Sequence, residues 1–283
     1  MARKSGSATA LGGFANEAAI AKAFRTNGTF SNQCLEFMGY RGGRVIDAVT
    51  VPSKLGVQSA RTILEMPTDP TPAKLEEITR QQKADVRLTI EHSGQTVNVN
   101  LSLKKANRKA DFNQIDKRSV DTYQRLWGFS DEIALWLKLF TGAADPETFD
   151  THTKNLSRNE ARRRLKFTAL PAAQQQLILD FLTANKTRLI EDIVRGSGPL
   201  SADYIVVTCQ ADNSKQVHLC KTSDAVSYLQ QGDVKKSPRG SITLGRLTIQ
   251  RYGGSPHPEL LQFKIKPSLL FDVAGTSTTF SQS

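Results

Sequence analysis

The 283-residue chain has three cysteines, Cys34, Cys209 and Cys220, an odd number with no CxxC spacing. That excludes a disulfide framework, argues against a thiolate zinc site and predicts three inert, core-type thiols. Histidine is similarly scarce, with four in the chain; His218 and Cys220 fall on alternate positions of one candidate strand, too few for a metal site. No run of eighteen apolar residues occurs, and the opening MARKSGSATALGG lacks the apolar core of a signal peptide. The expectation is a soluble, cytoplasmic protein with no membrane partner. Acidic residues are also in deficit: 27 Asp and Glu stand against 38 Lys and Arg, for a net charge of +11. A surface of that sign attracts polyanions and speeds encounter with them, which directs attention to nucleic acid. With 39% hydrophobic and 23% charged residues, the chain is globular and long enough to bury a full core.

Along the chain, FANEAAIAKAFR (14–25) places Phe14, Glu17, Ala18, Ala21 and Phe24 on one helical face, so Glu17 falls on the side expected to be buried. Residues 44–51 and 59–64 read as strands. MPTDPTPAKLEEITRQQK, with Pro67, Pro70 and Pro72, reads as a surface insertion. ADVRLTI and TVNVNLSLK, separated by EHSGQ, form a hairpin pattern. Its polar face carries Asp85, Arg87 and Thr89 on one strand and Asn98, Asn100, Ser102 and Lys104 on the other, a solvated face by this reading. From Asp111 the period lengthens through Phe112, Ile115, Val120, Tyr123 and Trp127, predicting a helix capped by Asp111 and Gln114. SDEIALWLKLFTG, the segment from Pro171 to about Ala184, and TRLIEDIVR read as further helices, the last stopped by Gly196. DYIVVTCQA, KQVHLCKT, SITLGRLTIQR and LLQFKIK read as strands, and the serine- and threonine-rich tail as disordered.

An acid at the start of one strand and a lysine near the end of its hairpin partner have the chemistry of a metal-dependent nuclease. The carboxylate can hold a hard cation through oxygen, and the ammonium can orient a water or offset charge on the reacting phosphate. Asp85 and Lys104 fit those roles. The usual pattern, PD-(D/E)XK, has a second acid two residues before the lysine; here Ser102 stands there and the motif is degenerate. Glu17 has two readings, a salt bridge to a core arginine or a further metal ligand, because a buried carboxylate needs one or the other.

Seven lysines and arginines against three acids lie between Lys104 and Arg125, and seven against one between Lys235 and Lys266. Such clusters supply salt-dependent phosphate contacts, with Lys105, Arg108, Lys109, Lys117 and Arg118 as candidates. Arg239, Arg246, Gln250 and Arg251 have the forked and amide groups that suit base edges, and Asn113 and Gln114 could reach a groove. Solvated surface charge is the alternative for each.

The blocks GFANE, KADV, LSLKKANRKADFNQIDKR, YQRLWGF, LFTG, IEDIVRGSG, SPRGSITLGRLTIQRYGG and LLQFKIKPSLLFDV resemble the HinP-one-I group of type II restriction endonucleases, GCGC cutters of the PD-(D/E)XK superfamily that are close to MspI. The resemblance covers most of the chain, leaving 52–80 as an insertion and the tail as an extension. It implies an α/β (α+β) restriction-endonuclease core, a central mixed β-sheet flanked by helices, in a single large domain over 1–273. A catalytic half would span about 1–128 and a helical and C-terminal DNA-recognition half about 129–273, followed by a disordered tail, 274–283. It implies Mg²⁺ held by Asp85, the Leu103 carbonyl and Glu17, and catalysis by Asp85, Ser102 and Lys104. A non-acidic residue at the Ser102 position is already known in this subgroup. The implied DNA contacts include Gln114 as a wedge at the centre of the target, together with Ser241 and its neighbours in the SPRGS and GRLTIQR blocks. The implied substrate is double-stranded DNA at GCGC, cut after the first G by a monomer or weak homodimer. A cognate DNA methyltransferase would protect the same sequence in a restriction-modification system. Two other readings stand beside this one: a DNA-binding protein that has lost catalysis, and a repair nuclease that recognises DNA structure.

Overall fold

A computed structural model describes residues 6–26, 28–106, 112–145, 158–159, 164–211, 214–251 and 257–281. The architecture is mixed α/β, with helices flanking the sheets, as the resemblance implies. Two compact units are present, one drawn from Met1–Asp111, Val194–Ala225 and Lys266–Ser283, the other from Phe112–Ile193 and Val226–Ile265. The units interleave along the chain, changing over after Asp111, Ile193, Ala225 and Ile265. The first excursion is the crossover between the parallel strands at 95–106 and 204–211, and the second joins two antiparallel neighbours, at 214–221 and 275–281.

In the first unit, strands β1 (Arg44–Thr50), β2 (Val86–His92), β3 (Gln95–Ala106), β7 (Tyr204–Ala211), β8 (Ser214–Lys221) and β13 (Gly275–Ser281) form one sheet in that order. All pairs are antiparallel except β3 with β7. The β2–β3 hairpin closes through Ser93 and Gly94, at φ 51° and 75°, the paired positive values a two-residue turn requires. Helices α1 (Gly6–Thr26) and α2 (Gly28–Met38) lay Ile20, Phe24, Phe30 and Leu35 on Leu88, Leu101 and Leu219.

The buried stripe of α1 runs through Asn16, Ile20, Ala21, Ala23 and Phe24, while Phe14 and Ala18 are exposed. The expected face is thus rotated, and Glu17 sits half-buried at its margin. Residues 59–64 are helical, within α3 (Val57–Leu64): Ala60 is buried, and Ile63 and Leu64, three and four positions on, pack with Val51, Leu55 and Ile78, a helical rather than an alternating spacing. In the inserted segment α4 (Pro72–Gln81) starts at Thr71, whose hydroxyl accepts from the Lys74 amide, and buries Ile78.

The tail is also corrected. Gly275–Ser281 pairs along β8 as β13, with Phe280 buried and its ring 5.1 Å from Phe30. Alternating Thr and Ser on an open sheet edge suit a strand, and one aromatic anchor fixes the register.

The second unit has a five-stranded antiparallel sheet in the order β4 (Asn113–Ser119), β12 (Leu260–Ile265), β11 (Leu247–Arg251), β10 (Ile242–Leu244) and β9 (Val234–Lys236). Asn113–Ser119 is a strand, not the start of the expected helix, because β12 pairs with it from Asn113 opposite Ile265 to Ser119 opposite Leu260. The helix α5 begins only at Val120, capped by Ser119 Oγ on the Thr122 amide, and ends at Gly128, φ 72°. Ser130 and Gly142 bound α6 (Asp131–Thr141) in the same way. SITLGRLTIQR is a hairpin rather than one strand, turning at Gly245 and Arg246. A two-residue pair β5 and β6 (158–159 and 164–165) and helices α7 (Ala172–Ala184) and α8 (Lys186–Val194) complete this part. Among the described residues no helix is long and apolar enough to cross a membrane.

Candidate active site

Asp85 lies immediately before β2 and is already held in the sheet, its amide donating to the Leu101 carbonyl (2.8 Å) and its carbonyl accepting from the Val51 amide (2.9 Å). Its Oδ2 accepts from the Leu103 amide at 2.6 Å and from Ser102 Oγ at 3.3 Å. Lys104 Nζ lies 3.8 Å from the same oxygen and donates to Ser102 Oγ (2.9 Å) and the Leu103 carbonyl (3.1 Å). Period-two spacing on β3 brings Ser102 and Lys104 to one face, and the β2–β3 pairing brings Asp85 beside them.

The polar face of β3 is not solvated. Asn100 and Ser102 are buried, and the 198–203 segment bonds to Asn100: its amide side chain donates to the carbonyls of Pro199 and Ser201, and its backbone N–H to Asp203. Ser102 lies 2% exposed, its hydroxyl accepting from the lysine and donating to the aspartate. Where the superfamily pattern has a carboxylate, this chain has a neutral bridge between a cation and an anion.

Glu17 joins the group from α1. Burial and the neighbouring Asp85 charge push its carboxyl up to about 7, against the opposing pull of Lys104. Two carboxylates that raise each other's energy in a half-buried setting are relieved by a cation. Glu17, Asp85 and the Leu103 carbonyl make an all-oxygen donor set, which could hold a hard divalent ion such as Mg²⁺ rather than a soft one. The core arginine that would have been the other partner for Glu17 is not what shifts it. Among the described residues no group of three or more His, Cys, Asp and Glu gathers as a metal site, and His218 is instead bonded to Ser277 and the Val273 carbonyl. Burial pushes the Cys34 and Cys220 thiols up to about 12, in keeping with inert thiols.

The candidate DNA contacts separate. Lys105 is exposed on β3 of the first unit. In the second unit, a cleft of about 530 Å³ gathers Arg239, Ser241, Gln250 and Arg251 with Lys264, Thr243, Thr248 and Phe112. Three cations and no carboxylate appear among its described lining residues. Asn113, Gln114 and Lys117 lie on β4 of the same sheet. Arg246 is not with them: it sits at the far turn of the β10–β11 hairpin, stacked 4.0 Å over Tyr228 and donating to Gln231 Oε1. Arg118 is corrected as well. It is 7% exposed and clasped by Asp116 (3.0 Å) and Asp192 (2.8 Å), whose carboxylates also receive Tyr123 Oη and Trp127 Nε1. Burial works against its charge, but the two carboxylates more than offset that and keep it protonated. Arg108 and Lys109 lie outside the described residues.

Lys264 and Gln262 were not singled out from the sequence. The alternation in LLQFKIK held the signal, since Leu261, Phe263 and Ile265 face the core and the two polar residues share the opposite face. Burial lowers the Lys264 ammonium.

The chain is similar in fold to the restriction endonuclease MspI, whose crystal structure is in complex with its cognate DNA. The likeness has a TM-score of 0.50 at 17% identity over 86% of this chain and 81% of that one. No curated protein sequence matches the chain. The family model for the R.HinP1I restriction endonuclease matches residues 77–271. That span is more than half of the chain and holds Asp85, Ser102 and Lys104 and the whole of the second unit, so the chain belongs to the R.HinP1I restriction endonuclease family and is a type II restriction endonuclease.

Proposed function

We propose that this enzyme hydrolyses phosphodiester bonds of duplex DNA at a short GC-rich palindrome, GCGC, in a Mg²⁺-dependent reaction, as the restricting half of a restriction-modification system. The observation that carries the reading is the convergence of Asp85, Lys104 and Glu17: a carboxylate 3.8 Å from an ammonium, with a second carboxylate that burial, and then the Asp85 charge, raise to about 7. A duplex substrate is supported by the MspI complex with cognate DNA and by the cleft lined with Arg239, Arg251 and Lys264.

Asp85, Glu17 and the Leu103 carbonyl would hold the Mg²⁺. When bound, the ion supplies positive charge that stabilises the pentacovalent phosphorus and the departing 3′ oxygen. Lys104 has three N–H groups, of which two are spent on Ser102 and Leu103, and the third orients the attacking water or a non-bridging phosphate oxygen. Ser102 holds the ammonium in that orientation by accepting from it and donating to Asp85. Water forms the new P–O bond as the bond to the 3′ oxygen breaks, leaving a 5′ phosphate and a 3′ hydroxyl. Lys105, Lys117 and Arg239 would neutralise phosphates, while Asn113, Gln114, Ser241, Gln250 and Arg251 face base edges. A methyltransferase of the same specificity would protect the sequence in the cytoplasm. The enzyme would act as a monomer or weak homodimer.

Digestion of unmethylated plasmid with Mg²⁺, followed by sequencing of the ends, tests this reading. Discrete fragments ending within GCGC are expected, and none in EDTA. A second reading, a DNA-binding protein that has lost catalysis, is favoured by the neutral Ser102 in the acidic position. It predicts an equal gel shift in EDTA and Mg²⁺ with no cutting.

A further inference from the structure

Three glutamines cross three strands of the second unit's sheet. Gln250 on β11 stands directly opposite Gln262 on β12, and its Nε2 donates to Gln262 Oε1 at 3.1 Å. Gln262 Nε2 in turn donates to Gln114 Oε1 on β4 at 2.9 Å. The second contact is diagonal, because Gln114 pairs with Lys264 across a bulge in the β4–β12 ladder. Gln262 is 6% exposed, whereas Gln114 is exposed and Gln250 lines the cationic cleft. A buried amide that cannot turn to water must take its partners from its neighbours.

We propose that Gln262 is a positioning residue that fixes which edge Gln114 and Gln250 each present to DNA. The inference rests on the site-specific endonuclease reading above. An amide has one acceptor oxygen and an NH₂ donor group. In a head-to-tail chain of three, the two ends have opposite polarity. Gln114 spends its oxygen on Gln262 and presents two N–H donors. Gln250 spends one N–H and presents its carbonyl oxygen beside the remaining N–H. Gln114 is thereby matched to an acceptor edge, such as guanine O6 and N7, and Gln250 to an exocyclic amine, such as cytosine N4. The ends are separated by two strand spacings, roughly 9.5 Å, so they meet different base pairs. Both glutamines would otherwise turn freely and accept either polarity. The middle residue, which touches no base, ties the two ends together, so that one presents donors only when the other presents its oxygen.

Cleavage of a plasmid library randomised at and around the recognition site, read by sequencing, tests the proposal with Gln262→Glu and Gln262→Met. A carboxylate at 262 accepts from both sides, so Gln114 must turn its NH₂ inward and present its oxygen. Gln262→Glu is therefore expected to cut the wild-type sequence at least tenfold more slowly and to gain preference for an amine-bearing base at one position. Gln262→Met cannot hold either end and is expected to relax discrimination at two positions by roughly tenfold each. Thermal melting separates loss of fold from loss of reading. Variants that cut more slowly, or melt earlier, with an unchanged base profile would overturn the proposal, because a merely structural residue leaves the profile alone. A wild-type enzyme that cuts no discrete sequence would instead overturn the function on which it rests.

Discussion

Ser102 Oγ accepts a 2.9 Å hydrogen bond from the Lys104 ammonium while donating to Asp85 Oδ2 at 3.3 Å. The hydroxyl therefore does what a second carboxylate could not do without adding repulsion toward Asp85 and Glu17: it orients the lysine at no cost in charge. Ser102→Ala removes the acceptor at a buried position. A loss of about tenfold in kcat, ~1.4 kcal/mol of transition-state stabilisation, is expected with little change in KM. Single-turnover cleavage measures this, and an unchanged rate would show that the bridge is idle.

Glu17 predicts how metal binding depends on pH. Below about 7 the carboxyl is protonated and must lose its proton to accept a cation. Apparent Mg²⁺ affinity should rise with pH up to about 7 and level off above it, with up to one proton released per ion. Calorimetry in two buffers of different ionisation enthalpy measures the release. Glu17→Gln should bind more weakly and release none.

The same group affects stability in EDTA with a definite sign. The folded chain holds the Glu17 proton to about pH 7, while the unfolded chain releases it near 4.5. Between these values the folded state binds more protons, so this contribution is full below 4.5 and is lost as pH rises through 7. Wild type and Glu17→Gln should melt alike at pH 4. At pH 8 the variant should be more stable, by about 1–2 kcal/mol once solvent screening of the half-open site is discounted. Equal stability at both pH values would contradict the shift.

Arg118 and Arg239 should behave oppositely. Arg118→Ala leaves Asp116 and Asp192 buried without their cation, costing ~3–5 kcal/mol of stability. Arg239→Ala, on an exposed turn, should melt as wild type but bind DNA more weakly and with a salt slope smaller by about 1. Melting and salt-dependent binding of the two variants distinguish the roles.

Ending the chain at Val273 removes β13, exposing the β8 edge and the pocket filled by Phe280. A loss of ~3–5 kcal/mol and a tendency to self-associate are expected. Calorimetry and light scattering measure both.

The residues that were legible from sequence share a local cause. Asp85, Ser102 and Lys104 lie on two strands of one tight hairpin, so alternation and a two-residue turn place them without long-range information. Arg118 reads as a solvated cation from sequence because its second partner, Asp192, lies 74 residues away, and charge alone does not distinguish a clasped arginine from a solvated one. β4 was misread because Phe112, Ile115, Val120 and Tyr123 mimic a helical stripe, while the strand is dictated by β12, more than 140 residues later. The rotation of α1 moved Phe14 into solvent yet left Glu17 beside Asp85, since half-burial at a stripe's margin satisfies the same pairing.

Asp85 and Lys104 are proposed to form the cutting site. The direct measurement is single-turnover cleavage of unmethylated plasmid by Asp85→Ala and Lys104→Ala, with gel shifts of the same variants in parallel. Each variant should retain DNA binding and lose at least a thousandfold in rate, while the wild type cuts with Mg²⁺ and not in EDTA. Cleavage by either variant at the wild-type rate would contradict the assignment.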